Sequence, residues 1–371
     1  MRDHRWIGAE RPWSVGIEEE ALLLDPTDWS LANRIEEVLS AFGPQAAAET
    51  HACVVELRTA PHPTAGGAAR ELGRLRQALD LTLRDELGLR AAVAGTHPLA
   101  TAADVGTSTS TRYREVEATM RVLAHREPTL AQHVHVGVGD QVSAVRALDG
   151  LRSALPLLLA VSANSPFWRG GDSGFASIRT PIFGMFPRTG IQRRFGHYAE
   201  YMRTVDQLLR TGAIPDRGFL WWDARLQPRL GTVEVRIMDA QSRVADVAAL
   251  AALVQCLVRR FADDPGHCAA APELLEENRF LAARDGMDAA LVDTRTFRLR
   301  PARDMLAELV AACAPVAAEL GCGAELASIA AIADDPGYAR QRRIAAEYGL
   351  GALPAWLADE FAGAHSTLAV A

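Results

Sequence analysis

Residues Trp13 to Pro26 read WSVGIEEEALLLDP, three glutamates in a row directly after an apolar alternation. An extended chain sends successive side chains to opposite faces. Glu18 and Glu20 then share a face with Gly16 and Leu22, while Val15, Ile17, Ala21 and Leu23 take the other, and Glu19 falls among them. Acids on a lone strand can simply discourage edge-to-edge aggregation. The reading turns on whether other strands repeat the pattern.

Three do. In CVVELRTAP (Cys53 to Pro61), Val54, Glu56 and Arg58 oppose Cys53, Val55 and Leu57. In QHVHVGVG (Gln132 to Gly139), His133, His135 and Gly137 oppose Val134, Val136 and Val138; in GTVEVRIMDA (Gly231 to Ala240), Thr232, Glu234 and Arg236 oppose Val233, Val235 and Ile237. The wet face of an antiparallel sheet ordinarily carries Thr, Ser, Lys and Gln. Here it carries Glu, His and Arg, so the face is read as the lining of a cavity. Glu49, seven residues before Glu56, joins the set if the chain turns between them. The predicted fold class is α+β: a curved, mainly antiparallel sheet with helices packed on its apolar side.

Those helices show as amphipathic runs. RELGRLRQALDLTLRDEL places Leu72, Leu75, Leu79 and Leu83 on one side, and similar spacing runs through 141–162, 243–262 and 302–319, with Pro156 expected to kink or divide the first of these three. The stretch Ser162 to Gly190 is long, irregular and rich in Gly and Pro. Loops of that length in a compact fold are usually functional or disordered, and its aromatic and arginine content argues for function.

Composition narrows the chemistry. The 371 residues are 49% hydrophobic, with no linker, repeat or charge block, so a single catalytic domain over 1–371 is expected. A net charge of −7 offers no basic stripe for nucleic acid. Apolar runs such as Leu155 to Val161 are far short of the roughly 20 residues of a membrane span. The opening MRDHRWIGAERPW lacks a signal-peptide core, which makes a cytoplasmic location the expectation. Five cysteines without CxxC spacing are read as buried thiols. All 39 basic residues are arginine, which excludes a P-loop lysine, a Schiff-base lysine and a carbamylated bridging lysine. Any phosphate must be held by arginine, backbone N–H groups or metal.

Four or five carboxylates around one cavity repel one another unless cations are present. Two or three Mg2+ ions answer that, because Mg2+ prefers oxygen ligands and bridges to substrate phosphates. Arginines beside them suit a transferring phosphoryl group. The set therefore points to ATP-dependent chemistry without a P-loop. A rival reading takes His133 and His135 as zinc ligands of a metallohydrolase, but it leaves the GIEEE and EVR strands without a role.

GIEEE (Gly16 to Glu20), VVELRT (Val54 to Thr59), GTHP (Gly95 to Pro98), QHVHVG (Gln132 to Gly137), SANSPFWRGGDSGFASIRTPIF (Ser162 to Phe183), WWDARLQPRLGTVEVRIMDA (Trp221 to Ala240) and ENRFLAARDG (Glu277 to Gly286) form an ordered series. It resembles the carboxylate-amine ligases of the glutamate-cysteine ligase type 2 family, over roughly residues 13–350. The resemblance implies a glutamine synthetase-like catalytic fold, in which an antiparallel sheet forms a funnel with helices behind it. It implies ATP-dependent activation of a carboxylate as an acyl phosphate, which an amine attacks to give an amide. The substrates implied are ATP, glutamate and cysteine, the product is γ-glutamylcysteine, and a homodimer is an expected assembly. By position, Glu18, Glu20, Glu49, Glu56, Glu234 and His135 match metal-site residues. Arg225, Arg236 and His135 match nucleotide-site residues, while Glu56, Arg236 and Arg179 match residues acting on the reacting groups.

Overall fold

The alternation of the opening stretch is borne out along strand β1 (Val15–Leu24), where Val15, Ile17 and Glu19 are buried and Gly16, Glu18 and Glu20 are partly open. The computed structural model describes residues 5–108, 111–264 and 270–363. Around β1 stand β2 (Ala46–Ala48), β3 (Val54–Arg58), β4 (Arg90–Ala92), β5 (Gln132–Gly137), β6 (Ala224–Gln227) and β7 (Thr232–Val235). They form one open sheet in the order β2-β3-β1-β5-β7-β6, with β4 paired to the end of β1, and each pairing is antiparallel.

Register decides which side chains meet. Glu20 lies opposite Glu56 and Glu18 opposite Arg58 across β1 and β3, while Glu18 faces His133 and Gly16 faces His135 across β1 and β5. His135 in turn pairs with Glu234, and Glu234 with Arg225. Directly opposed residues of an antiparallel pair project to the same side, so the polar faces of the sequence become one continuous patch.

The other side is covered by helices α1 (Ala65–Thr82), α2 (Gln141–Leu151) and α3 (Val244–Asp263). Leu72, Leu79 and Leu83 are fully buried beneath the sheet. Thr64 caps α1 by accepting from the Gly67 N–H, and Asp140 caps α2 by accepting from the Val142 and Ser143 N–H groups. The chain breaks after Leu151 and resumes as the helix Leu155–Ser162, with Pro156 in its first turn, where a missing N–H costs nothing. Glu19, on the covered side, meets Arg76 of α1 in a fully buried pair.

The stretch 162–190 is ordered by one carboxylate. Asp239, four residues beyond β7, accepts from the Asn164 N–H at 2.8 Å, the Ser165 hydroxyl at 2.7 Å and the Ser177 hydroxyl at 2.8 Å. Gly95 packs against it so closely that a β-carbon there would stand 2.8 Å from the carboxylate. The GTHP, SANS, FASIR and IMDA motifs thus converge on Asp239. Arg279 of ENRF reaches Asp223 of WWDAR at 2.7 Å, joining those two stretches. Cys53, Cys256, Cys313 and Cys322 are buried free thiols, and Cys268 lies outside the described residues.

Candidate active site

A cavity of about 440 Å³ opens on the polar face. Seven of the expected residues line it, namely Glu18, Glu20, Glu49, Glu56, His135, Arg225 and Arg236. Glu234 is fully buried behind the lining residues Arg225, Gln227 and Arg236: the Arg225 Nε–H and the Gln227 amide both donate to its Oε2 at 2.6 Å, and Arg236 Nη1 donates to its Oε1 at 2.5 Å. Arg179 lies deeper. Its guanidinium donates to the Ile237 and Arg236 carbonyls at 3.0 and 3.2 Å and sits 3.6 Å from Asp239, so it holds the strand end that carries Arg236.

Two groups of ligand atoms come within 4.8 Å of one another, Glu20 with Glu56 and His133, and Glu18 with His133 and Glu234. His133 takes part in both. His135 instead holds the Thr232 hydroxyl with Nδ1 at 3.0 Å and brings Nε2 to 3.5 Å from Glu18. Among the described residues no such group contains both imidazoles.

The electrostatics are uneven across the patch. Burial pushes the Glu20 carboxyl up to about 7, helped by the charge of Glu56. Burial also pushes Glu56 up to about 8, reinforced by Glu49 and Glu18. For Glu18 burial acts the same way, but the imidazoles of His133 and His135 outweigh it and hold the group well below the usual range. Burial is likewise outweighed at Glu234 by Arg225 and Arg236. His133 is driven down to about 4, by burial first and then by Arg236. The β3 end of the cavity is therefore short of positive charge and the β6 end is satisfied.

A second cavity, of about 570 Å³, adjoins the first and shares Glu18, Arg58, His135 and Leu230 with it. Its outer wall is the segment Ala9 to Ser14. That segment is tied down by backbone bonds from the Ala9 and Trp13 N–H groups to the carbonyls of Val138 and Gly137.

A family model, glutamate-cysteine ligase family 2, matches residues 14–360. The chain belongs to that family. Membership in glutamate-cysteine ligase family 2 places it among the ATP-dependent carbon-nitrogen ligases that join a carboxylate to an amine. A provisionally named glutamate–cysteine ligase 2-3 of Rubrobacter xylanophilus is 41% identical over 92% of this chain and 95% of its own length. A provisionally named glutamate–cysteine ligase 2-2 of Nocardia farcinica is 35% identical over 91% and 92%. The fold is shared with the glutamate–cysteine ligase of Francisella tularensis, solved in complex with AMP, at a TM-score of 0.69 and 13% identity over 98% of this chain and 91% of that one. It is shared too with a bifunctional glutathione synthetase of Pasteurella multocida, at 0.67 and 12%, over 94% of this chain and 52% of that one. No described helix is long and apolar enough to cross a membrane.

Two residues escaped the site expected from sequence. His133 was visible on the polar face but takes a more central place than His135. Arg58 shares the face of Glu56 and stands between the two cavities; its spacing in VVELR was the available signal.

Proposed function

We propose that the chain transfers the terminal phosphoryl group of ATP to the side-chain carboxylate of glutamate and passes the resulting acyl phosphate to the amine of cysteine, giving γ-glutamylcysteine, ADP and phosphate. The observation that carries the reading is the meeting of two carboxylate–imidazole groups with Arg236 on one sheet face. Cysteine as the amine rests on the names of the family and its members. The two adjoining cavities meet at Glu18, Arg58 and His135, so nucleotide and amino acids would have separate approaches to that junction.

The donor set suits Mg2+. It is rich in carboxylate oxygens, and the upward displacement of Glu20 and Glu56 marks a place where positive charge is missing. Glu20 and Glu56 would hold one ion, with Glu49 beside it, and Glu18 and Glu234 another, with the single lone pair of His133 completing one of the two. A metal held there would supply neutralisation of phosphate charge. Arg236 keeps Nη2 without a protein hydrogen bond among the described residues, so it can donate to a phosphate oxygen. Arg225 spends its donors on Glu234 and on the Gly218 and Leu220 carbonyls, which makes it the brace of Glu234. Arg179 fixes the backbone on which Arg236 rides.

Hydroxylamine tests the first half of the reaction whatever the amine. With glutamate and Mg-ATP, a hydroxamate and ADP should form together, and cysteine in its place should yield a thiol-containing dipeptide. Absence of hydroxamate with every carboxylate offered would remove the acyl phosphate. A faster rate with another amine would keep the mechanism and replace cysteine.

The metal site has a second, turnover-free test. Glu20 and Glu56 sit above the 4.5 of an ordinary glutamate, so the metal-free folded state binds more protons than the unfolded chain, and its stability falls as pH rises through about 7 to 8. His133, driven down to about 4, is neutral in both states above pH ~7 and does not oppose this. The loss from pH ~7 to ~8.5 is on the order of 1–2 kcal/mol. Thermal melts should show a lower midpoint at the higher pH and a larger Mg2+-induced rise there. An equal rise at both pH values would separate these acids from the metal.

A further inference from the structure

Arg58 ends β3 opposite Glu18, with its side chain 56% exposed. Its Nε–H donates to Glu56 Oε1 and lies 3.9 Å from Glu18 Oε1. Those two acids belong to the two different groups of metal-competent ligands. The four N–H bonds on Nη1 and Nη2 make no hydrogen bond to protein among the described residues. Arg225 and Arg179, by contrast, spend their terminal nitrogens on protein oxygens. Arg58 is also the one arginine that lines both cavities. A guanidinium with its terminal fork unspent is shaped for two parallel bonds to a carboxylate or phosphate.

We infer that Arg58 is a resident counter-ion of the acid cluster: it gives up Glu56 and Glu18 when divalent metal enters and turns its fork onto a substrate oxyanion, carboxylate or phosphate, at the junction of the cavities. The second step rests on the ligase reading above; the first does not. The plainer alternative is a strand-end arginine that only neutralises Glu56. Both tighten metal binding when the charge of Arg58 is removed; they differ at the substrate, where an arginine that only neutralises Glu56 has no effect and one that turns its fork onto an oxyanion does.

The experiment uses Arg58→Ala and Arg58→Lys in the full chain, with thermal melts to verify folding. Calorimetric titration of nucleotide-free protein with MgCl2 should show Arg58→Ala binding roughly threefold or more tighter than wild type, while Arg58→Lys, which keeps the charge, stays close to wild type. In the hydroxamate assay both variants should raise KM for glutamate or for ATP by roughly tenfold or more, since both lose the fork. Whichever KM moves identifies the oxyanion as carboxylate or phosphate. Unchanged or weaker Mg2+ binding in Arg58→Ala overturns the place-holder role, and two unmoved KM values overturn the oxyanion contact. A wild-type enzyme that forms no hydroxamate instead refutes the ligase reading, with the Mg2+ comparison still standing by itself.

Discussion

Glu20→Gln should lower ligation by at least the ~10²-fold typical of losing a key electrostatic group, while leaving the metal-free protein as stable as wild type or more so. The two halves of that expectation come from the same geometry. Glu20 faces Glu56 directly, and burial together with that neighbour already pushes it towards the protonated form. A glutamine mimics the protonated acid, removes the repulsion and still offers an oxygen to the Ala131 N–H, which Glu20 now satisfies at 2.8 Å. What it cannot do is supply negative charge to a metal ion. Activity and the Mg2+-induced thermal shift should therefore fall together in a protein that melts no earlier. Near-normal turnover at saturating Mg2+ would take Glu20 out of the site; a large loss of stability would mean that its charge serves the fold.

Glu234 sits at the opposite end of the same patch and illustrates how environment separates like residues. Its carboxylate accepts from Arg225, Arg236 and Gln227, so its charge is already paired where that of Glu20 is not. Two glutamates on one sheet face thus have opposite electrostatic standing, and only the one near other acids gains by losing its charge.

The period-two alternation made most of this patch legible in the sequence. Once four segments are taken as strands, Glu18, Glu20, Glu56, His133, His135, Glu234 and Arg236 must share a side, and the register brings them together. What alternation cannot supply is the depth of a residue off the strands. Arg179 sits in a short helix whose position is set by Asp239 through Ser165 and Ser177, contacts spanning more than sixty residues of chain, so its place behind Arg236, donating to the Ile237 and Arg236 carbonyls, has no signal in the alternation. Alternation is equally silent on which of two same-face imidazoles stands nearer the acids. That is decided by Thr232, which engages His135 and leaves His133 between both carboxylate groups. The free fork of Arg58 was invisible because donors are counted only once every neighbour is known.

One signal was present in the sequence on both partners. Glu19 falls on the apolar side of β1, and Arg76, four residues after Leu72 and three before Leu79, falls in the apolar stripe of α1. Two charges that each violate their own pattern need each other, and the structure pairs them: the Arg76 Nε–H donates to Glu19 at 2.8 Å, and its two terminal nitrogens donate at 2.7 Å to the Ser242 and Gln241 carbonyls. Breaking such a pair costs about 3–5 kcal/mol, because a charge remains buried without compensation. Arg76→Ala and Glu19→Ala should therefore each lose stability on that scale in urea unfolding. Replacing both by apolar residues should recover only part of the loss, since the Gln241 and Ser242 carbonyls that lead into α3 would still lack their donor. A loss below about 1 kcal/mol in both single variants, the range of an exposed pair, would show that the charges do not hold this contact.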